Sequence, residues 1–309
     1  MASPAPTHAL TVIRVPGHGA EDVLVADDGT VYTATEDGGV HAVDPAGGVR
    51  TVGRTPGRPL GLELLPDGRL LVCAADAGLL AMDLTNGRVE TLAAEVGGVP
   101  MRVCNNAAVA SDGTIWFSDS SQAYPLSHWK SDFVEGTRTG RLIRRDPDGA
   151  LTVLVEGLAF ANGVALAADE SFVAVAESGG RTVVRLWLKG ARAGERDLLA
   201  SDLPGYPDNI ALGSDGLIWV TIASPYDAVV DRLQRAPMAV RRLVTRLPQA
   251  IQPKPQRTAR AQAFDADGRL VHDVIADASH FHMATGVRER DGRVWFGSLV
   301  EPAIAVTDL

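Results

Sequence analysis

Only two cysteines, Cys73 and Cys104, occur in 309 residues, too few for a disulfide framework. Aromatic residues make up 5% of the chain, and no apolar run approaches the roughly twenty residues needed to cross a bilayer. The opening "MASPAPTHALTVIRV" has no basic segment followed by an apolar stretch, so a secretory signal is not read and a cytoplasmic location is expected, with no membrane partner. A basic surplus is missing too. The net charge is −9 with the acids dispersed, which excludes an electrostatic footprint for nucleic acid. The cluster Arg241, Arg242 and Arg246 reads as a solvated helix face.

What the chain has in quantity is a repeated turn. The stretches "VLVADDGTVYTAT", "LELLPDGRLLVCA", "AAVASDGTIWFSD", "VALAADESFVAVA", "IALGSDGLIWVTI" and "GVRERDGRVWFGS" share one plan: an apolar run, an Asp-Gly or Asp-Glu turn, then a second β-rich run. Glycine after aspartate supplies the positive φ that tight hairpin turns require. Second hairpins follow four of the six in "GGVHAVDPAGGVRTV", "GLLAMDLTNGRVETL", "GRLIRRDPDGALTVL" and "ARAQAFDADGRLVHDV"; the fourth unit has a looser one, and the sixth ends at "AIAVTDL". Six such units predict an all-β, six-bladed β-propeller of four-stranded blades, a single domain over residues 1–309. The short sixth unit is completed if "HALTVIRV" supplies its outermost strand, which removes an exposed edge.

Two spacers exceed blade-loop length. "SSQAYPLSHWKSDFVEGTRT" and "SPYDAVVDRLQRAPMAVRRLVTRLPQAIQPKPQRT" both follow the second strand of a blade, so both project from one face as a lid or substrate wall. In the second, Val229, Val230 and Leu233, then Val240, Leu243, Val244 and Leu247, predict two short amphipathic helices separated near Pro237.

Counting back seven residues from the aspartate of each first turn reaches Glu21, Leu60, Asn105, Asn162, Asp208 and Ala284. First strands of blades line the central channel, so these positions form a ring near one mouth. Packing alone does not select two carboxylates and two amides there. Confined carboxylates repel and are costly to desolvate, and a cation relieves both penalties. Oxygen donors from Glu21, Asn105, Asn162 and Asp208, with Asn209 adding an oxygen or orienting the site, suit Ca²⁺, with Mg²⁺ or Mn²⁺ as alternatives. No organic cofactor is expected.

The strings "WFSDSS", "EGTRTGRLIRRDP", "LAFANGVALAADESFVAVAES", "LPGYPDNIALGSDGLIWV" and "ERDGRVWFGSL" cover nearly the whole chain. In order and spacing they resemble the six-bladed propeller superfamily of gluconolactonase (the senescence marker protein), paraoxonase and strictosidine synthase. The nearest likeness is to the strictosidine synthase-like branch that includes the adipocyte plasma membrane-associated protein. The resemblance implies metal ligation by Glu21, Asn162 and Asp208, with Asn105 as a further ligand or a substrate contact. It also implies an ion that polarises a carbonyl oxygen while a base activates water. Two positions depart from the pattern. Thr285 stands where strictosidine synthase carries its glutamate, which speaks against a Pictet-Spengler condensation, and Leu60 replaces the paraoxonase histidine.

For the base, His280 and His282 in "SHFHMATG" precede the sixth inner strand, and Asp208 is a third candidate. His128 and Trp129 in the first insertion are expected to reach over the same mouth, and Cys104 lacks an activating neighbour. The expected activity is metal-dependent hydrolysis of a small-molecule lactone or ester. The alternatives are a condensation, lyase or cyclisation enzyme on the same scaffold, or a binding propeller with a structural ion. Oligomeric state is not readable from the sequence.

Overall fold

A computed structural model of the chain describes residues 8–247 and 255–309. Residues 248–254 of the second insertion and residues 1–7 lie outside the described residues. Each Asp-Gly or Asp-Glu unit forms the first hairpin of a four-stranded antiparallel sheet, and six such sheets surround an axis. Their inner strands are Val23–Val25, Pro59–Leu64, Cys104–Val109, Ala161–Leu166, Gly205–Leu212 and Ala284–Arg290. Each packs against the inner strand of the next blade, and the sixth returns to the first.

Closure occurs as the short sixth unit requires. Thr11–Arg14 pairs antiparallel with Ala303–Asp308, Thr11 facing Val306 and Arg14 facing Ala303, so both chain ends are held in one sheet. Apolar side chains fill the wedges between blades, as where Phe172, Ala174, Ile218 and Val220 meet. Narrow wedges near the axis are filled by alanine and glycine. A Cβ on Gly163 would lie 2.1 Å from the Ile210 nitrogen, which leaves room for no other residue there.

The insertions fold against each other. The first contains α1 (Trp129–Glu135), a helix not anticipated from its sequence, and the second contains α2 (Ala228–Arg235) and α3 (Met238–Thr245), divided at Pro237. Gln234 Nε2 donates to the Phe133 carbonyl at 2.9 Å, Arg241 Nη1 to the Glu135 carbonyl at 2.9 Å, and Thr245 Oγ1 to Glu135 Oε1 at 3.2 Å. The apolar face of the second insertion is narrower than its pattern suggests. Val230, Leu233 and Val244 are half-buried while Val229, Val240 and Leu243 are exposed. Adjacent residues differ by about 100° around a helix, so Val229 and Val230 cannot both face inward. None of the helices among the described residues is long and apolar enough to cross a membrane.

Candidate functional site

Five of the six inner hairpins have a register shift at their start: between Pro59 and Gly61, Cys104 and Ala107, Ala161 and Val164, Pro207 and Ile210, and Ala284 and Val287. Regular pleating sends consecutive side chains to opposite faces, whereas a bulge can aim two neighbours at the axis. The consequence is visible at the pair Asp208 and Asn209. Asp208 lines the axial cavity, and Asn209 Nδ2 donates across the channel to the Leu60 carbonyl at 3.4 Å. Asp208 is the fourth residue of the eight-residue strand Gly205–Leu212, which runs farther toward the mouth than its equivalents.

Glu21, Asn105, Asn162 and Asp208 line one cavity of about 420 Å³ beneath the insertions. Leu60 and Ala284, the apolar members of the ring, turn into neighbouring packing instead. The amides are oriented by equivalent serines on the second strands' ends: Asn105 Nδ2 donates to Ser120 Oγ at 2.9 Å, and Asn162 Nδ2 to Ser178 Oγ at 3.2 Å. That leaves Asn105 Oδ1, Asn162 Oδ1 and Asp208 Oδ1 buried without a hydrogen-bond partner among the described residues. Buried acceptors are normally satisfied, and three uncommitted oxygens beside the Glu21 carboxylate are a set of donors of the kind that could hold a hard cation. Among the described residues no group of three or more His, Cys, Asp or Glu is arranged to hold a metal ion, and two of these four donors are amides.

Electrostatics point the same way. Burial raises the Glu21 carboxyl far above its usual range; the nearby Arg58 guanidinium opposes this, while Asp208 and Asp22 add to it. Burial likewise raises Asp208, opposed by a hydrogen bond from Asn162 and reinforced by Asp22. A divalent charge among these groups would reverse both shifts by stabilising the ionised forms.

A second tier underlies the first. The next residue is Asp22, Gly61, Asn106, Gly163 or Asn209 in five blades, and in the sixth Gly286, two on from Ala284, packs against Asp22, so polar side chains and glycines alternate around the axis. Asp22 Oδ2 accepts from Leu62 N at 2.9 Å, and Asn106 Oδ1 accepts from Val164 N at 2.9 Å, each crossing to the blade where a glycine makes space. Burial pushes the Asp22 carboxyl up to about 6. Asn209 belongs to this tier and is absent from the cavity wall; its Oδ1 has no hydrogen-bond partner among the described residues.

The remaining candidates divide. Trp129 lines the cavity, but His128 is exposed and bonds to Ser127 Oγ through Nδ1 at 3.0 Å. His280 is exposed, and His282 lies outside the lining, where Glu301 and Arg257 hold its two ring nitrogens; the wall there is Met283. Thr285 also lies outside: its Oγ1 donates to the Glu21 carbonyl at 2.9 Å and its carbonyl accepts from Thr221 Oγ1 at 2.7 Å, so it ties three blades together. Cys104 is fully buried, and burial together with Cys73 beside it pushes its thiol well up.

Sequence reasoning missed Arg58, Phe160 and Tyr206, which line the cavity. Each stands two residues before a ring position, a shared spacing that could have marked them. Arg58 Nη2 donates to Glu21 Oε2 at 3.3 Å and to the Leu299 carbonyl at 3.0 Å. Phe160 has φ +62°, a left-handed conformation unusual for a bulky residue and typical of functional sites.

Comparison with known proteins agrees with this architecture. Residues 21–244 match the profile of the SMP-30/Gluconolactonase/LRE-like region. The chain is 35% identical to strictosidine synthase-like protein 10 of Arabidopsis thaliana over 82% of its own length and 70% of that protein. It is 30% identical to the adipocyte plasma membrane-associated protein of Salmo salar, covering 90% of this chain and 73% of the relative. A gluconolactonase from Xanthomonas campestris superimposes with a TM-score of 0.72 at 18% identity, over 98% of this chain and 90% of that one, a likeness of fold. The chain therefore belongs to the SMP-30/gluconolactonase/LRE-like family of six-bladed propellers.

Proposed function

We propose that the protein is a divalent-cation-dependent hydrolase of a small lactone or ester, with Ca²⁺ the cation that its donors suit best. The observation that carries this reading is the set of buried, partnerless oxygens on Asn105, Asn162 and Asp208 in one cavity with Glu21. These four side chains would hold the ion, and serines 120 and 178 would keep its amide ligands turned toward it. When bound, the ion supplies Lewis acidity toward a carbonyl oxygen.

The chain's own groups do the rest. Arg58, anchored on Glu21 and Leu299, adds positive potential where an acyl oxygen gains negative charge. Asp208, a ligand of the ion in this reading, is also the cavity carboxylate to which we assign the proton from water. This reading assigns no part to His282, which Glu301 and Arg257 hold outside the cavity, or to the exposed His280. A condensation like that of strictosidine synthase is disfavoured because Thr285 binds backbone and does not reach the cavity. The test is turnover of a lactone and aryl-ester panel with and without chelator. Chelator-sensitive hydrolysis that vanishes in Asp208→Ala is the expected result; metal-dependent stability without turnover would make this a binding propeller.

A further inference from the structure

The walls of the cavity differ from its floor. Phe133 is the centre of an aromatic cluster: its ring lies 5.5 Å from Trp129 (interplanar angle 85°), 5.0 Å from Phe160 (57°) and 5.8 Å from Tyr206 (72°). Leu126, Val230, Val244 and Met283 extend this surface. Most of the polar side chains in the wall are engaged by the protein itself. Ser127 bonds to His128, Ser224 Oγ accepts from Gln256 N at 3.1 Å, and Thr245 Oγ1 donates to Glu135. Asp227 caps α2, its Oδ1 accepting from Val229 N at 2.7 Å. A polyhydroxylated ligand would lose water here without finding partners for its hydroxyls, whereas an aryl or alkyl body would meet rings and methyl groups.

Lys130 is the exception in the wall. It is half-buried, lies 5.7 Å from the Trp129 ring centroid, and has no carboxylate partner among the described residues. The other cation in the lining, Arg58, is paired with Glu21 at 3.3 Å and Glu36 at 3.5 Å. We infer that the cavity takes a ligand with an apolar, preferably aromatic, body that carries an acidic group at the end away from the ring of oxygens, where Lys130 receives it. The inference rests on the hydrolase reading for the reacting carbonyl, but the recognition it describes belongs to walls that act without catalysis.

Binding therefore tests it separately. Naphthalene-2-carboxylate, neutral 2-naphthamide and D-gluconate are titrated calorimetrically into the full chain, once with calcium and once with chelator. The naphthyl carboxylate is expected to bind at least about tenfold more tightly than either of the others in both buffers. Lys130→Met is expected to erase its advantage over the amide while leaving amide binding unchanged. Gluconate binding as tightly as the naphthyl ligands overturns the inference. So does a carboxylate preference that survives Lys130→Met, or one that disappears with chelator, since either assigns the acidic group to the floor. Failure of the hydrolase reading shows instead as absent turnover with this binding pattern intact.

Discussion

Ser178 accepts a hydrogen bond from the side-chain amide of Asn162 at 3.2 Å, and Ser120 does the same for Asn105 at 2.9 Å, one blade away. An asparagine held by its nitrogen presents its oxygen, so two serines fix the polarity of the candidate metal site without touching the ion. Residues that orient ligands typically contribute about 10- to 100-fold in metal affinity. Ser178→Ala and Ser120→Ala should each weaken calcium binding by about tenfold, measured by calorimetry, with little change in metal-free melting temperature. Unchanged affinity in both variants would remove this role.

Asp208→Asn separates site from scaffold. In chelator the variant should be at least as stable as the parent protein, by up to about 1 kcal/mol, because a buried carboxyl raised by burial and by Asp22 is replaced with a neutral group. In calcium the order should invert. A cation at 100 times its dissociation constant stabilises the parent by about 2.7 kcal/mol, and the variant should lose most of that gain. Equal thermal shifts on adding calcium would place the ion elsewhere.

Gly163→Ala tests the alternation of polar side chains with glycines. The added methyl would meet Ile210 N at 2.1 Å and Asn209 backbone at 2.6 Å, and backbone cannot rotate away. Overpacking of this kind typically costs about 1–3 kcal/mol, so the urea midpoint should fall and calcium affinity should fall with it. Gly113, with open space around its Cβ position but φ +86°, is the control: Gly113→Ala should destabilise without changing metal affinity.

A pH-dependent contribution comes from Asp197 on the outer part of blade 4. Hydrogen bonds from Arg185 (2.8 Å) and Arg192 (2.9 Å) hold its carboxyl well below the usual range. A depressed folded-state value means stability fully present above the unfolded carboxyl's pKa of about 3.9 and lost as the pH falls toward the folded value. Asp197→Asn should therefore lower the urea midpoint by a constant amount between about pH 5 and 8, and the gap should narrow below about pH 4. A gap of equal size at pH 3 would show that the contacts act through shape alone.

Residues 1–14 carry the closing strand, so their deletion should expose the edge of Ala303–Asp308. The truncated protein is expected to associate in light scattering and to melt lower. Unchanged scattering and melting temperature would mean that the closing strand is dispensable.

The Asp-Gly and Asp-Glu turns and the alternating runs around them determined six blades, because the conformational demand of a hairpin turn is local; glycine meets it in five of them and Glu170, at φ +55°, in the fourth. Counting from those turns also placed Glu21, Asn105, Asn162 and Asp208 in equivalent positions, and the cavity brings these four together. What neighbouring blades and insertions do to a side chain has no local signature, and there the tertiary structure decided. It drew His282 to Glu301 and Arg257, turned Thr285 onto the Glu21 carbonyl, and set Phe160 and Tyr206 around Phe133 of an insertion. Each outcome was fixed by a partner remote in sequence or contributed by another strand or insertion, and strand period or turn chemistry cannot name such a partner.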